Sequence, residues 1–253
     1  MTEADIVARL RAAGCVFAED EAALLLAENR QDLEQLVQRR VDGEPLEYIV
    51  GWAKFHGIRV AVDPGVFVPR RRTELLVDEA LRLAQTGAVV VDLCCGAGAI
   101  GAAMLDRMPT LELYAADADP AAVHTARRNV PPARVFEGDL FDPLPPALMS
   151  TVDLIVVNAP YVPTAAIETM PPEARFHEHR IALDGGSDGL DLHRRIAAEA
   201  GLWLVPGGSL LIETSERQAP LTAALFGAVG MVTAVKRSRE IDGTVVVARA
   251  VVR

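Results

Sequence analysis

The sequence predicts an α/β fold with a mostly parallel sheet, preceded by a small helical domain. Three observations carry this. From Thr73 onward, short apolar runs alternate with segments of helical period, the pattern of repeated βα units. A glycine-rich turn joins the first apolar run to its helix. Polar side chains suited to holding a ligand stand where successive runs end.

The elements follow in chain order. Residues 4 to about 42 read as helices: Ile6, Leu10 and Ala13, then Ala22–Leu26, then Leu33, Leu36 and Val37 recur at helical spacing, with Gly14 and Gly43 as punctuation. Tyr48-Ile49-Val50 with Phe55, and Ile58–Val62, read as two strands of a hairpin turning near His56-Gly57. Domains are therefore expected at 1–43 (helical), 44–72 (hairpin linker) and 73–253 (main domain). In the last, Thr73 is placed to cap a helix through Leu83. Val89–Asp92, Leu111–Ala116, Arg134–Phe136, Val152–Val157 and Ser209–Glu213 read as strands. Helices are expected at Ile100–Arg107, Ala121–Asn129 and Leu190–Leu204. Met231–Val235 and Thr244–Val251 read as a closing strand pair around Asp242-Gly243.

Bulk properties exclude several classes. The 253 residues are 51% hydrophobic and 24% charged, an ordinary globular composition. No apolar run approaches the ~18 residues of a membrane span, and the first residues, Met1–Asp5, lack a signal peptide's pattern. A cytoplasmic protein is expected. The three cysteines, Cys15, Cys94 and Cys95, have neither a disulfide framework's count nor a zinc site's spacing. A net charge of −10 argues against a broad nucleic-acid footprint. His177, His179 and His193 lack companions of ligand spacing, so no metal is expected.

The turn Asp92-Leu93-Cys94-Cys95-Gly96-Ala97-Gly98 sits between a strand and a helix. Glycines there let the backbone turn sharply and approach a ligand. Asp117 ends the second strand, at the distance of about 20 residues expected of a carboxylate gripping a ribose. Asp139, after the third strand, is suited to accept from an adenine amine, with Leu140 or Phe141 flanking the ring. A dinucleotide and S-adenosylmethionine both fit this plan. Asp92 favours S-adenosylmethionine, because a carboxylate there repels pyrophosphate but suits an ammonium group. After the fourth strand stands Asn158-Ala159-Pro160-Tyr161. An amide, a stiff backbone and an aromatic ring at the carboxyl edge of a sheet suit a planar group with N–H donors.

Together these residues resemble the class I amino-methyltransferases, whose fold is a Rossmann-like, mostly parallel seven-stranded sheet. More specifically, the chain resembles the protein-(glutamine-N5) methyltransferases that modify peptide release factors. The resemblance extends through Gly43–Ile49, Asp63–Arg70 with Thr73-Glu74, Ala182–Gly186 with Asp188–Leu190, and Pro206–Gly208 with Glu213. It implies S-adenosylmethionine as cofactor, held by Asp92, the Cys94–Gly98 loop, Asp117, Asp139, Leu140 and Asn158. It implies Asn158, Ala159, Pro160 and Tyr161 as the clamp on the methyl acceptor, and a protein substrate met partly by the N-terminal helices. Three positions depart from the family pattern. Cys94 replaces a loop glycine, Arg71-Arg72 replace a proline and an acid, and Ala159 replaces the clamp's first proline. Ala159 precedes Pro160 and so stays extended. The competing readings are an amino-methyltransferase for adenine N6 or guanine N2 of a nucleic acid, an NAD-dependent oxidoreductase, and a non-catalytic cofactor-binding protein. The sequence leaves the oligomeric state open.

Overall fold

The computed structural model describes residues 1–28 and 32–251. Helices α1 (Glu3–Ala12), α2 (Ala18–Ala27) and α3 (Leu33–Val41) open it. A capping box between Thr2 and Asp5 starts α1, satisfying backbone N–H groups that the first turn leaves free. The apolar faces of the three helices, with Ile6, Leu10, Leu25 and Val37, close a core of their own together with Ile49 and Val50.

Residues Tyr48–Val50 correct the expectation. They form not a strand but part of a short helix, α4 (Leu46–Val50), ended by Gly51 at φ 85°. Their aromatic and β-branched side chains favour strands only weakly against packing. Here Tyr48 turns into the main core while Ile49 and Val50 enter the helical one. The hairpin itself is present and shorter: β1 (Trp52–Phe55) pairs antiparallel with β2 (Ile58–Ala61).

The main domain runs α5 (Glu74–Leu83), β3 (Val89–Leu93), α6 (Ala99–Arg107), β4 (Glu112–Asp117), α7 (Pro120–Ala126), β5 (Val135–Glu137) and β6 (Val152–Val157). After β6 comes an irregular stretch holding the short α8 (Pro172–His177). Then follow α9 (Asp191–Trp203), β7 (Leu204–Glu213), α10 (Ala219–Ala228), β8 (Val232–Ser238) and β9 (Gly243–Arg249). The sequence reading has no counterpart to α10. Its apolar residues surround the helix instead of forming one stripe, so periodicity does not mark it.

Seven strands form one sheet in the order β5-β4-β3-β6-β7-β9-β8. All neighbours from β5 to β7 pair parallel, and β9 runs antiparallel to both β7 and β8. Alternating side chains serve the two faces. Val90 and Val156 pack with Leu76 and Ala103 on one side, and Val91 and Ile155 with Ile196 and Phe226 on the other. The chain leaves β3 toward β4 on one side and returns through β6 on the other. The gap between their carboxyl ends is the switch point where such sheets hold ligands.

One buried cation joins the helical domain to the rest. Arg40 is 8% exposed. Its Nε lies 2.6 Å from Glu21 on α2, and its Nη1 lies 2.6 Å from Glu173 on α8 and 3.1 Å from the Glu44 carbonyl. Among the described residues, no helix is long and apolar enough to cross a membrane.

Candidate active site

A cavity of ≈ 890 Å³ opens at the carboxyl ends of β3, β4 and β6, within the size range of small-molecule sites. Its wall takes in Cys94 through Ala97, Asp117, Asp139, Leu140 and Asn158 through Tyr161. It thus brings together most of the residues singled out from the sequence. Asp92 and Gly98 stand behind that wall.

At one end the backbone does the shaping. Cys94 (φ 54°), Gly96 (φ 55°), Gly98 (φ 74°) and Leu140 (φ 49°) all occupy the left-handed region. Gly98 opens α6, and a β-carbon there would stand 3.3 Å from Ala126 Cβ. Gly101, one turn on, lets α6 press against the sheet: a β-carbon would meet Leu113 at 2.5 Å. Asp117 braces the loop from the neighbouring strand. Its Oδ2 accepts from Gly96 N at 2.8 Å, and its Oδ1 accepts from Asp119 N at 2.9 Å. Burial pushes its carboxyl up, and these backbone donors oppose the rise.

Asp92 meets the loop from below. It is fully buried. Its Oδ2 accepts from Gly101 N at 3.0 Å, while Oδ1 has no partner. Burial pushes its pKa up to about 7, the expected behaviour of a carboxylate with too few donors. Burial first, and Asp117 next, raise the Cys94 and Cys95 thiols well above their ordinary range. Asp139 lies at the rim in an ion pair with Arg195 at 2.6 Å, and Leu140 is buried against the cavity.

At the other end side chains do the shaping. Asn158 Nδ2 donates to Thr73 Oγ1 at 3.4 Å. Ala159 is 1% exposed. The Tyr161 hydroxyl donates to Glu213 Oε1 at 3.2 Å, where Arg72 Nε also arrives at 3.3 Å. Burial raises both Tyr161 and Glu213 above their ordinary values. The Gly185–Gly189 loop backs this clamp closely. A β-carbon on Gly185 would meet the Pro160 carbonyl at 2.7 Å, and one on Gly189 the Tyr161 carbonyl at 2.2 Å. Gln218 Nε2 donates to that same Tyr161 carbonyl at 2.9 Å.

Thr73 corrects a further expectation. It precedes α5 but makes no side-chain cap bond, because its hydroxyl is turned to Asn158. Sequence reasoning assigned no part in the site to Arg72, Thr73, Glu213 or Gln218. One signal was present. Glu213 ends a strand as Asp92 and Asp117 do, and an acid at the end of an apolar run is buried unless something turns it outward.

Comparison with known proteins decides the family. The model of the methyltransferase small domain matches residues 57–242. A release factor glutamine methyltransferase of Geobacter sulfurreducens is 44% identical over 77% of this chain and 69% of its own. The chain belongs to the methyltransferase small-domain family, in the group of the release factor glutamine methyltransferases. Another such enzyme, from Thermodesulfovibrio yellowstonii, is 30% identical over 89% of this chain and 84% of its own. A 4-amino-L-phenylalanine/4-methylamino-L-phenylalanine methyltransferase of Streptomyces pristinaespiralis is 38% identical over 77% and 69%. The crystal structure of a methyltransferase from Pyrococcus furiosus shares the fold, with a TM-score of 0.58 at 16% identity over 77% of this chain and 90% of that one.

This methyltransferase takes S-adenosylmethionine as its cofactor. The residues present fit that molecule. The orphaned Oδ1 of Asp92 suits a ligand with a cationic end. The Asp117 oxygens keep lone pairs for a ribose diol after accepting one backbone N–H each. No phosphate partner is demanded, and a buried carboxylate beneath the glycine loop would oppose one.

Proposed function

We propose that this enzyme methylates the side-chain amide nitrogen (N5) of a protein glutamine, and that its substrate is a peptide chain release factor, as in the relatives' names. S-adenosylmethionine supplies a methyl group on a cationic sulfur that leaves as a neutral thioether, so the clamp has no leaving group to protonate, and the one proton the amide nitrogen gives up passes to solvent. In this reading Asp117 holds the ribose, Leu140 lies against the adenine, and Asp92 answers the ammonium of the methionine end.

The observation that carries the reading is the orientation of Asn158. Its amide nitrogen is engaged by Thr73, which leaves Oδ1 to accept. An amide nitrogen is a poor nucleophile because its lone pair is delocalised into the carbonyl. Asn158 Oδ1 accepts one N–H of the acceptor, and the Ala159 carbonyl accepts the other. The nitrogen is then held with its lone pair aimed at the methyl group, and part of its delocalisation is lost. Tyr161, fixed at its hydroxyl by Glu213, covers the flat face of the amide. Pro160 keeps Ala159 extended, so replacement of the first proline leaves that carbonyl in use.

Mass spectrometry tests this directly. Release factor incubated with the enzyme and methyl-labelled S-adenosylmethionine is expected to gain one methyl group on a glutamine-containing peptide. Label entering RNA, DNA or 4-amino-L-phenylalanine, with none in the release factor, would refute the acceptor assignment.

A further inference from the structure

Arg72 stands at the hydroxyl end of Tyr161. It lines the cavity, with its side chain 43% exposed. Its Nε donates to Glu213 Oε1 at 3.3 Å, the same oxygen that the Tyr161 hydroxyl reaches at 3.2 Å. Glu213 is buried, so one edge of the guanidinium is anchored in the protein interior. A guanidinium carries five N–H donors in a rigid fork. Glu213 takes one, and the neighbouring Tyr161 oxygen has room for one more. Among the described residues, no hydrogen bond ties down either Nη, at the far end of the side chain. The other cations on the cavity wall, Arg180 and Arg195, are paired with Asp184 and Asp139.

A carboxamide held in the clamp has one polar atom left over. Its two N–H groups go to Asn158 Oδ1 and the Ala159 carbonyl, and its own oxygen remains. An oxygen taken out of water without a donor costs binding energy. The side chains around the clamp have few protons to give. The Thr73 hydroxyl is buried and turned to Asn158. The Tyr161 hydroxyl gives its proton to Glu213. Gln218 Nε2 serves the Tyr161 and Asp188 carbonyls. Arg72 has N–H groups to spare. We propose that Arg72 is a specificity-determining residue: its Nη groups donate to the carbonyl oxygen beside the methylated nitrogen. A site built to bond one polar atom rejects analogues that lack it, so an amine with no neighbouring oxygen is disfavoured. The family pattern has an acid at this position, so this means of selection belongs to this chain. The inference rests on the amide clamp proposed above.

Kinetics and infrared spectroscopy test it on release factor. Arg72→Met keeps the length of the side chain and removes every N–H. The KM for release factor is expected to rise about 10- to 100-fold with kcat nearly unchanged, because the bond forms on binding and persists through transfer. Calorimetric affinity for S-adenosylmethionine should not move. Loss of the cation alone would strand a buried carboxylate. The double variant Arg72→Met/Glu213→Gln takes both charges away, and the new amide still accepts from Tyr161. It is expected to keep the raised KM. With S-adenosylhomocysteine bound and carbon-13 in the glutamine side-chain carbonyls of release factor, the band of the bound carbonyl should move to lower frequency in the wild type and not in the double variant. An unchanged KM in Arg72→Met, a loss confined to kcat, weakened cofactor binding, a normal KM in the double variant, or the same carbonyl band in both proteins would each overturn the inference. Release factor left unmethylated by the wild type would remove the acceptor reading and this inference with it. Methylation at a wild-type KM in Arg72→Met would remove this inference alone.

Discussion

The two ends of the cavity are built by different means. The end proposed to hold the cofactor is shaped by backbone: Cys94, Gly96, Gly98 and Leu140 turn through the left-handed region, and Asp117 splints the loop through the Gly96 N–H. The end proposed for the acceptor is shaped by side chains: Arg72, Thr73, Asn158, Tyr161 and Glu213 meet from segments up to 141 residues apart. A fixed ligand can be met by a fixed backbone. An acceptor that must be aimed needs groups whose hydrogen-bond polarity is settled beforehand.

The contrast can be broken first at the acceptor end. Asn158→Ala removes the oriented acceptor oxygen and is expected to lower methylation by about 100-fold or more. S-adenosylmethionine binding, followed by calorimetry, should stay near the wild-type value. Gly98→Ala should do the reverse. At φ 74° with Ala126 3.3 Å away, the added methyl group strains the loop by about 1–2 kcal/mol. Cofactor affinity and thermal midpoint should both fall, while the Asn158 side-chain amide signal in nitrogen-15 NMR stays in place.

A pH series sharpens the contrast through Asp92. Its folded pKa, about 7, lies above its ordinary 3.8. Its contribution to stability is thus fully present below about pH 4 and lost as pH rises through 7. Asp92→Asn keeps a neutral group at all pH, so its thermal midpoint relative to wild type should be higher at pH 8 than at pH 5. A difference that does not change with pH would remove Asp92 as the cause. The smallest effect is expected at Cys94. Its φ of 54° disfavours any side chain, so Cys94→Gly relieves strain while loosening the unfolded chain. The net change should be a gain of no more than about 1 kcal/mol, read by urea unfolding, with cofactor affinity unaltered.

The same division explains what could be read from sequence. The cofactor loop and Asp117 are legible because turn chemistry is local and strand-end spacing is regular. The Asn158–Tyr161 segment is legible because it interrupts an apolar run. Arg72 and Glu213 are opaque, since nothing local announces that residues in different segments share one buried charge. Thr73 was misjudged for a related reason. A threonine before a helix has a ready local use, and a tertiary partner overrode it. Tyr48–Val50 failed similarly, with packing into two cores overriding strand propensity, and α10 was missed because it lacks an apolar stripe.

Arg40 has a consequence beyond holding two modules together. A buried guanidinium shared by Glu21 and Glu173 adds little net stability, but sliding one module past the other would strand it without partners. The seam therefore acts as a ruler. Phe17, 68% exposed one turn before Glu21, and Phe176, 69% exposed one turn after Glu173, stand at a set separation from each other. A surface that touched both rings at once would meet them at that one spacing.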